Sequence, residues 1–300
     1  MPSLIQRRLL PLLVLLVGVG CRPSSPDTAE RDQPSAATST SSDYHLTGEG
    51  DTTLVLVHGW NIDQEYWDDQ VKAFSDQYTV LTMNLVTNQL IQDSSRQWTA
   101  DNFARDIMQI IEQEALDNLI LVGHSMAGEI VLSVRELMPD KTLAIIGVDC
   151  YKDVGFILTE NVQHNIDSFL VRFEENYEES VEKMVTADLF EGDTEHQEAY
   201  ERVQRDYRRA DPEVALAIYR NLFPALATTK EKIGQLPFPL RIIVSDYTPF
   251  TEEALQQYAK NGYQVKTIRR SGHFPMIEQP EAFNQALGEF LEAIRASASG

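Results

Sequence analysis

From residue 43 onward, short apolar runs rich in β-branched residues alternate with longer amphipathic stretches, and this alternation constrains the fold more than any other feature. Runs that are apolar along most of their length are typical of strands covered on both faces, and the stretches between them have helical spacing. We therefore predict an α/β fold, with a mostly parallel sheet and helices on both faces. The predicted strands are 53–57, 78–83, 118–122, 142–148, 240–244 and 263–268, and the predicted helices are 66–76, 100–116, 126–138, 251–261 and 280–296.

The alternation is interrupted at residues 151–235, which favour helix throughout and contain no convincing strand. An insertion between two strands of a parallel sheet lies over the carboxyl ends of the strands, where open α/β sheets bind their ligands. We interpret residues 151–235 as a helical cap on a core formed by residues 43–150 and 236–300. The alternative is an acidic helical appendage unrelated to ligand binding.

The N-terminal segment has the composition of an export signal. Residues 1–20 contain two arginines, no acid, a short apolar run and final small residues, and Cys21 follows directly. This pattern resembles the bacterial lipoprotein signal, which implies lipidation of Cys21 and a membrane anchor. Residues 21–42 are then the lipidated cysteine and a disordered tether, since they are mostly Ser, Thr, Ala, Pro and charged residues. Alternatives are an ordinary cleaved signal and an uncleaved anchor. Arg22 favours the outer membrane, so we expect an exported lipoprotein facing the periplasm or the cell exterior.

The overall charge and the cysteine count exclude several classes of function. The formal net charge is −21, with 46 acidic and 25 basic residues, which argues against a general nucleic-acid binder. Two cysteines, Cys21 and Cys150, cannot build a disulfide framework or a cysteine-based zinc site. No histidine motif for a metal is present, so we expect neither a metal nor another cofactor.

Residues 121–128, which read LVGHSMAG, carry the strongest local signal in the chain. Ser125 lies between a predicted strand and a predicted helix, in the Gly-x-Ser-x-small pattern of a sharp turn that exposes a nucleophilic hydroxyl. Gly123 and Ala127 have the small side chains that such a turn requires. The pattern is weak alone, but the strand before it and the helix after it make it specific.

Together with two other motifs, this turn resembles the α/β-hydrolase superfamily across residues 43–297. The other motifs are LVHGW at 56–60 and SGHFP at 271–275, and EQPEAF at 278–283 adds a fourth point of likeness. The resemblance implies the α/β-hydrolase fold with Ser125 as nucleophile and His273 as its base. It also implies that the backbone amides of Trp60 and Met126 form the oxyanion hole.

The acid that would complete a triad is ambiguous. In most of the superfamily it follows the strand after the cap, and that position falls on Thr248 here. Asp149 ends the preceding strand, where some relatives such as haloalkane dehalogenases carry the acid, and Asp246 ends the next strand. We favour Asp149 over Asp246, with Asp153 or no acid as the remaining alternatives. The loop at 84–89 also lacks the glycines that many relatives have there.

A serine nucleophile predicts cleavage of an ester or thioester through an acyl-enzyme intermediate, with a small or medium apolar acyl compound as the substrate. The first alternative is an amidase resembling proline-releasing aminopeptidases. The second is a hydrolase-fold binding protein without activity, which the missing acid and the altered loop would explain.

Overall fold

The computed structural model describes residues 43–152, 154–190 and 195–298. The predicted signal, Cys21, the tether and Asp153 lie outside these residues. Among the described residues, seven strands form one sheet in the order β1-β3-β2-β4-β5-β6-β7. They are β1 (Tyr44–Thr47), β2 (Thr53–Val57), β3 (Thr79–Met83), β4 (Leu119–His124), β5 (Thr142–Val148), β6 (Leu240–Ser245) and β7 (Tyr263–Ile268).

All neighbouring strands are parallel except β1, which pairs antiparallel with β3 at the edge of the sheet. The six predicted strands are present, and β2, β5 and β7 match the predicted limits to the residue. β1 was missing from the prediction. Three of its four residues are exposed, so it lacks the buried apolar pattern that marks the other strands.

The helices flank the sheet and fill the segment between β5 and β6. The 3-10 turn Gln64–Trp67 leads into α1 (Asp68–Phe74), and the core also contains α2 (Asn88–Gln92), α3 (Ala100–Gln113), α4 (Ala127–Leu137), α10 (Glu253–Tyr258), α11 (Pro275–Glu278) and α12 (Pro280–Ala298). Between β5 and β6 lie α5 (Glu160–Glu175), α6 (Tyr177–Lys183), a π-helical turn at Met184–Leu189, α7 (Gln197–Arg209), α8 (Pro212–Leu226) and α9 (Thr229–Ile233). We call the segment from 151 to 235 the insertion. Within the described ranges, no helix combines the length and the apolar character needed to cross a bilayer.

The parallel register brings the carboxyl ends of β2, β4, β5 and β6 to the same edge of the sheet. Val57 pairs with Gly123, His124 with Val148, and Val148 with Ile243. Residues that directly follow these strands therefore lie close together, although they are far apart in sequence.

A buried polar contact joins the insertion to the core beside this edge. Glu129 on α4 is 2% exposed, and its Oε1 accepts a 2.6 Å hydrogen bond from the hydroxyl of Thr229 on α9. Its Oε2 has no hydrogen-bond partner among the described residues. Burial raises the pKa of the Glu129 carboxyl to about 7, although Thr229 and Lys232 oppose the shift. The side chain is therefore largely protonated up to neutral pH.

We expect Glu129→Gln to become increasingly stabilising, relative to the unchanged protein, as the pH rises. A carboxyl whose pKa is raised in the folded state stabilises the fold at pH values below its unfolded-state pKa, near 4.5. This contribution is lost as the pH rises through the folded-state pKa of about 7. The expected gain above pH 7 is up to about 3 kcal/mol in the free energy of unfolding. Urea unfolding at pH 5 and pH 8 measures it. Glu112→Gln, at an exposed position of α3, is the control. An equal effect of Glu129→Gln at both pH values would contradict the expectation.

Candidate active site

Ser125 lies on a strained turn between β4 and α4. Its φ of 55° is in the left-handed region, which costs a residue with a side chain about 1 kcal/mol or more. The turn is held by a 2.9 Å hydrogen bond from the Ser125 amide to the carbonyl of Val148. A Cβ at Gly123 would lie 2.5 Å from the carbonyl oxygen of Ala127, so the turn tolerates only glycine there. The predicted helix begins at Ala127, with Met126 as its N-cap.

His273 connects Ser125 to Asp149 through two hydrogen bonds. Its Nε2 lies 2.8 Å from the Ser125 Oγ, and its Nδ1 lies 2.5 Å from the Asp149 Oδ2. With Nδ1–H donating to the carboxylate, Nε2 is free to accept the serine proton. The three residues come from the end of β4, the end of β5 and the loop after β7. The structure therefore brings together the serine, the histidine and the favoured aspartate of the sequence prediction.

The Asp149 carboxylate is fully buried and accepts hydrogen bonds on both oxygens. Oδ1 receives the Ser245 hydroxyl at 2.8 Å, the Ser245 amide at 3.2 Å and the Lys152 ammonium at 2.8 Å. Burial alone would raise the pKa of this carboxyl, but Lys152 and His273 outweigh burial and hold the pKa well below its ordinary value. Asp149 is therefore ionised across the neutral range.

Asp246 occupies a different position from the one that a triad acid requires. It directly follows β6, and its Oδ1 accepts a 2.8 Å hydrogen bond from the backbone amide of Arg270. Among the described contacts, none joins Asp246 to His273. Thr248 lies at the usual position of the acid but has no carboxylate. Its Oγ1 accepts a 2.7 Å hydrogen bond from the Lys152 ammonium. The geometry thus favours Asp149 over the alternative acid.

The loop that carries His273 is braced from three directions. The buried Glu278 carboxylate accepts from the amides of Gly272 at 2.6 Å and Phe274 at 2.7 Å. His124 Nε2 lies 2.8 Å from the His273 carbonyl, and burial lowers the pKa of His124 to about 3, so the neutral ring donates this bond. The His273 amide in turn donates to the carbonyl of Leu189 in the insertion at 2.9 Å. These bonds fix the imidazole before substrate arrives.

The predicted oxyanion-hole amides belong to well-anchored residues. The Trp60 indole donates a 2.9 Å hydrogen bond to the carbonyl of Ala215 on α8. Close to Trp60 in the chain, the neutral His58 accepts from the Leu85 amide at 3.0 Å and donates to the Gly59 carbonyl at 2.8 Å. Burial lowers the pKa of His58 to about 4, in keeping with this role. Within the described residues, the backbone amides of Trp60 and Met126 donate no hydrogen bond, so both are available to an oxygen.

Aromatic side chains of the insertion surround Trp60. The Trp60 ring centroid lies 6.1 Å from Phe173, 5.3 Å from Tyr207 and 5.2 Å from Tyr219. Phe169 extends the cluster through contacts with both Phe173 and Tyr219. An apolar, aromatic wall thus stands next to the loop predicted to hold the oxyanion.

Four side chains that contact this site were not predicted to do so: Lys152, Ser245, Tyr247 and Glu278. The Tyr247 hydroxyl lies 3.1 Å from His273 Nδ1, and burial raises the pKa of this phenol well above its ordinary value. Ser245 and Tyr247 flank Asp246 in sequence. The prediction therefore identified the correct strand end but named Asp246 in place of these two neighbours, which contact Asp149 and His273. Glu278 belongs to a segment noted for resemblance alone, and no sequence signal indicated Lys152.

A model of the Alpha/beta hydrolase family matches residues 54–286. Among known proteins, a karrikin insensitive 2 receptor of Petunia hybrida is 24% identical over 249 residues, 79% of this chain and 89% of the relative. A strigolactone esterase of Arabidopsis thaliana is 24% identical over 261 residues, 82% of this chain and 94% of the relative. A solved thermophilic esterase from Thermogutta terrifontis shares the fold with a TM-score of 0.69 at 20% identity, over 84% of this chain and 93% of its own. Since the family match spans most of the chain, this protein belongs to the α/β hydrolase family.

Proposed function

We propose that this protein is a serine hydrolase that cleaves carboxylic esters or thioesters through an acyl-enzyme intermediate. The observation that carries the proposal is the hydrogen-bonded series Ser125–His273–Asp149, with distances of 2.8 Å and 2.5 Å. A serine hydroxyl is a poor nucleophile at neutral pH, and an imidazole within hydrogen-bond reach is what activates it. The similarity to a strigolactone esterase supports an ester as the substrate.

In the acylation step, Ser125 Oγ attacks the carbonyl carbon while its proton passes to His273 Nε2. The tetrahedral oxyanion is stabilised by the backbone N–H groups of Trp60 and Met126. These donors interact most strongly with the negative charge that develops on the oxygen in the transition state. The intermediate collapses when the carbon–oxygen or carbon–sulfur bond of the leaving group breaks, and His273 returns the proton to that group. Asp149 keeps the imidazole in the required tautomer and stabilises its protonated form.

In the deacylation step, a water molecule gives a proton to His273 and attacks the acyl-serine. The second tetrahedral intermediate expels Ser125, which recovers the proton, and the carboxylic acid leaves. His273 thus acts twice as base and twice as acid, which requires a fixed ring. This fixation comes from hydrogen bonds that the loop donates to Glu278 and Leu189 and from the one it accepts from His124.

The aromatic wall around Trp60 supports an apolar acyl group of small or medium size. Phe173, Tyr207 and Tyr219 are buried and contact the Trp60 ring, so the space beside the oxyanion loop is largely filled by side chains. A long acyl chain would have to displace several of these rings at once, and close-packed aromatic groups resist such displacement.

A fluorophosphonate probe should label Ser125 covalently in the folded protein, and intact-mass and peptide analysis should locate the adduct there. A series of p-nitrophenyl esters should show higher kcat/KM for acetate and butyrate than for palmitate. Ser125→Ala is the control, and its labelling should be absent. Prolyl p-nitroanilide in the same assay tests the aminopeptidase alternative. Failure of the probe to react would favour a binding protein without activity, and faster cleavage of the anilide than of the esters would favour the peptidase.

A further inference from the structure

Lys152 makes three contacts beside the site that no sequence motif indicated. Its ammonium lies 2.8 Å from the Asp149 Oδ1, 2.7 Å from the Thr248 hydroxyl oxygen and 4.4 Å from the centroid of the Tyr247 ring. The side chain is only 18% exposed. A lysine side chain loses considerable rotamer freedom when it is held in this way, so these contacts fix an otherwise mobile cation.

The three contacts join the ends of β5 and β6. Asp149 and Lys152 follow β5, whereas Tyr247 and Thr248 follow β6. Thr248 falls where most relatives would carry the acid, and here its hydroxyl accepts from the lysine that binds the aspartate at the other strand end. Lys152 therefore links the Asp149 carboxylate after β5 to Thr248 after β6, where the resemblance implies an acid.

The cation changes the charge that His273 experiences. With Lys152 in place, the carboxylate next to His273 belongs to an ion pair whose net charge is zero. Without Lys152, the imidazole would face a buried, unpaired negative charge, which favours its protonated form. Protonated His273 cannot accept the Ser125 proton, so the balance between these forms sets the acid limit of activity.

We propose that Lys152 is a positioning residue of the triad, which fixes the Asp149 carboxylate and balances its negative charge beside His273. This inference rests on the proposed hydrolase function. It adds a residue from the start of the insertion, which acts through Asp149 and does not touch the reacting atoms.

The other titratable groups around His273 do not supply the same effect. His124 is neutral above about pH 3, as its lowered pKa shows, and the raised pKa of Tyr247 keeps the phenol neutral. Burial raises the pKa of Glu278, whose carboxylate is already engaged by the amides of Gly272 and Phe274. Among the described groups in contact with the Asp149–His273 pair, Lys152 therefore provides the positive charge.

The test compares Lys152→Met, which removes the charge, with Lys152→Arg, which retains it. We expect the acid limb of the kcat/KM profile for p-nitrophenyl acetate to move about one pH unit upward in Lys152→Met and to stay near its original position in Lys152→Arg. Thr248→Val, which removes one anchor of the lysine and leaves the charge, should shift the limb in the same direction by less. Coincident acid limbs for the unchanged protein and a folded Lys152→Met variant would overturn the proposal.

A measurement that needs no hydrolysis separates this proposal from the function on which it rests. In a Ser125→Ala background, the His273 ring proton can be titrated by NMR with and without Lys152→Met. The titration should move toward higher pH in the double variant. An unchanged titration would disprove the role of Lys152 even in an active hydrolase, and a shifted titration in a protein that cleaves no ester would disprove only the proposed reaction. If Lys152→Met does not fold, the same titration with Thr248→Val decides the question.

Discussion

Asp149→Asn is expected to lower kcat/KM for a short p-nitrophenyl ester by about four orders of magnitude. The Asp149 Oδ2 accepts from His273 Nδ1 at 2.5 Å, and an amide nitrogen at that position would donate instead of accept. The imidazole would then be driven into the other tautomer, with its Nε2 protonated and unable to take the Ser125 proton. The loss should appear mainly in kcat, because the side chain does not contact the substrate.

Asp246→Asn provides the matched control, since it makes the same chemical change at the end of the neighbouring strand. An asparagine retains the oxygen that accepts from the Arg270 amide at 2.8 Å, so the loop should be preserved and kcat/KM should change less than about threefold. Steady-state kinetics of both variants, with melting curves to verify folding, measures the contrast. Comparable losses in the two variants would refute Asp149 as the acid, and a large loss confined to Asp246→Asn would transfer the role to Asp246.

Ser125→Gly is expected to reduce ester hydrolysis by about six orders of magnitude while making the protein more stable than Ser125→Ala. Neither variant has a hydroxyl to form the acyl-enzyme, so both should be equally inactive. They differ in the backbone. Residue 125 has φ of 55°, a conformation that glycine adopts without cost and that a Cβ disfavours.

The expected stability difference is about 1 kcal/mol in the free energy of unfolding, in favour of glycine. Both variants lose the hydrogen bond to His273 Nε2, so the comparison isolates the strain of the turn. Denaturant unfolding of the two proteins side by side measures it. Equal stability would show that the surrounding structure relaxes this turn without cost. Residual hydrolysis above about a thousandth of the original rate would show that another group acts as the nucleophile.

The strands and the serine turn could be predicted because their signals are local. The buried strands are continuously apolar, and the Gly123–Ala127 spacing reflects a steric requirement of one turn. The edge strand Tyr44–Thr47 is mostly exposed, so it has no continuous apolar run. It is a strand because it pairs with β3, which its own sequence does not reveal. Sequence reasoning therefore identified the elements that bury apolar surface and missed the element that depends on a neighbour.

The sequence favoured Asp149 but could not exclude Asp246. Both follow strands that are adjacent in the sheet, so both carboxylates reach the same edge. What distinguishes them is the backbone conformation of Asp149 and the contacts that each side chain makes. Asp149 has φ of 48°, and its side chain meets Ser245, Lys152 and His273, whereas Asp246 is held by an amide of the loop after β7. These contacts depend on the relative placement of three chain segments, which spacing does not encode.

The main-chain hydrogen bond from His273 to Leu189 joins the histidine loop to the insertion. The base is tied to the π-helical turn of the insertion, so a hinge motion that lifted that turn would also break a bond at the reaction centre. We therefore expect substrate to reach Ser125 past the side chains of the insertion, without a lid that opens and closes in each cycle. Substrate range should accordingly change through point substitutions that widen the passage, with little change in the timing of each catalytic cycle.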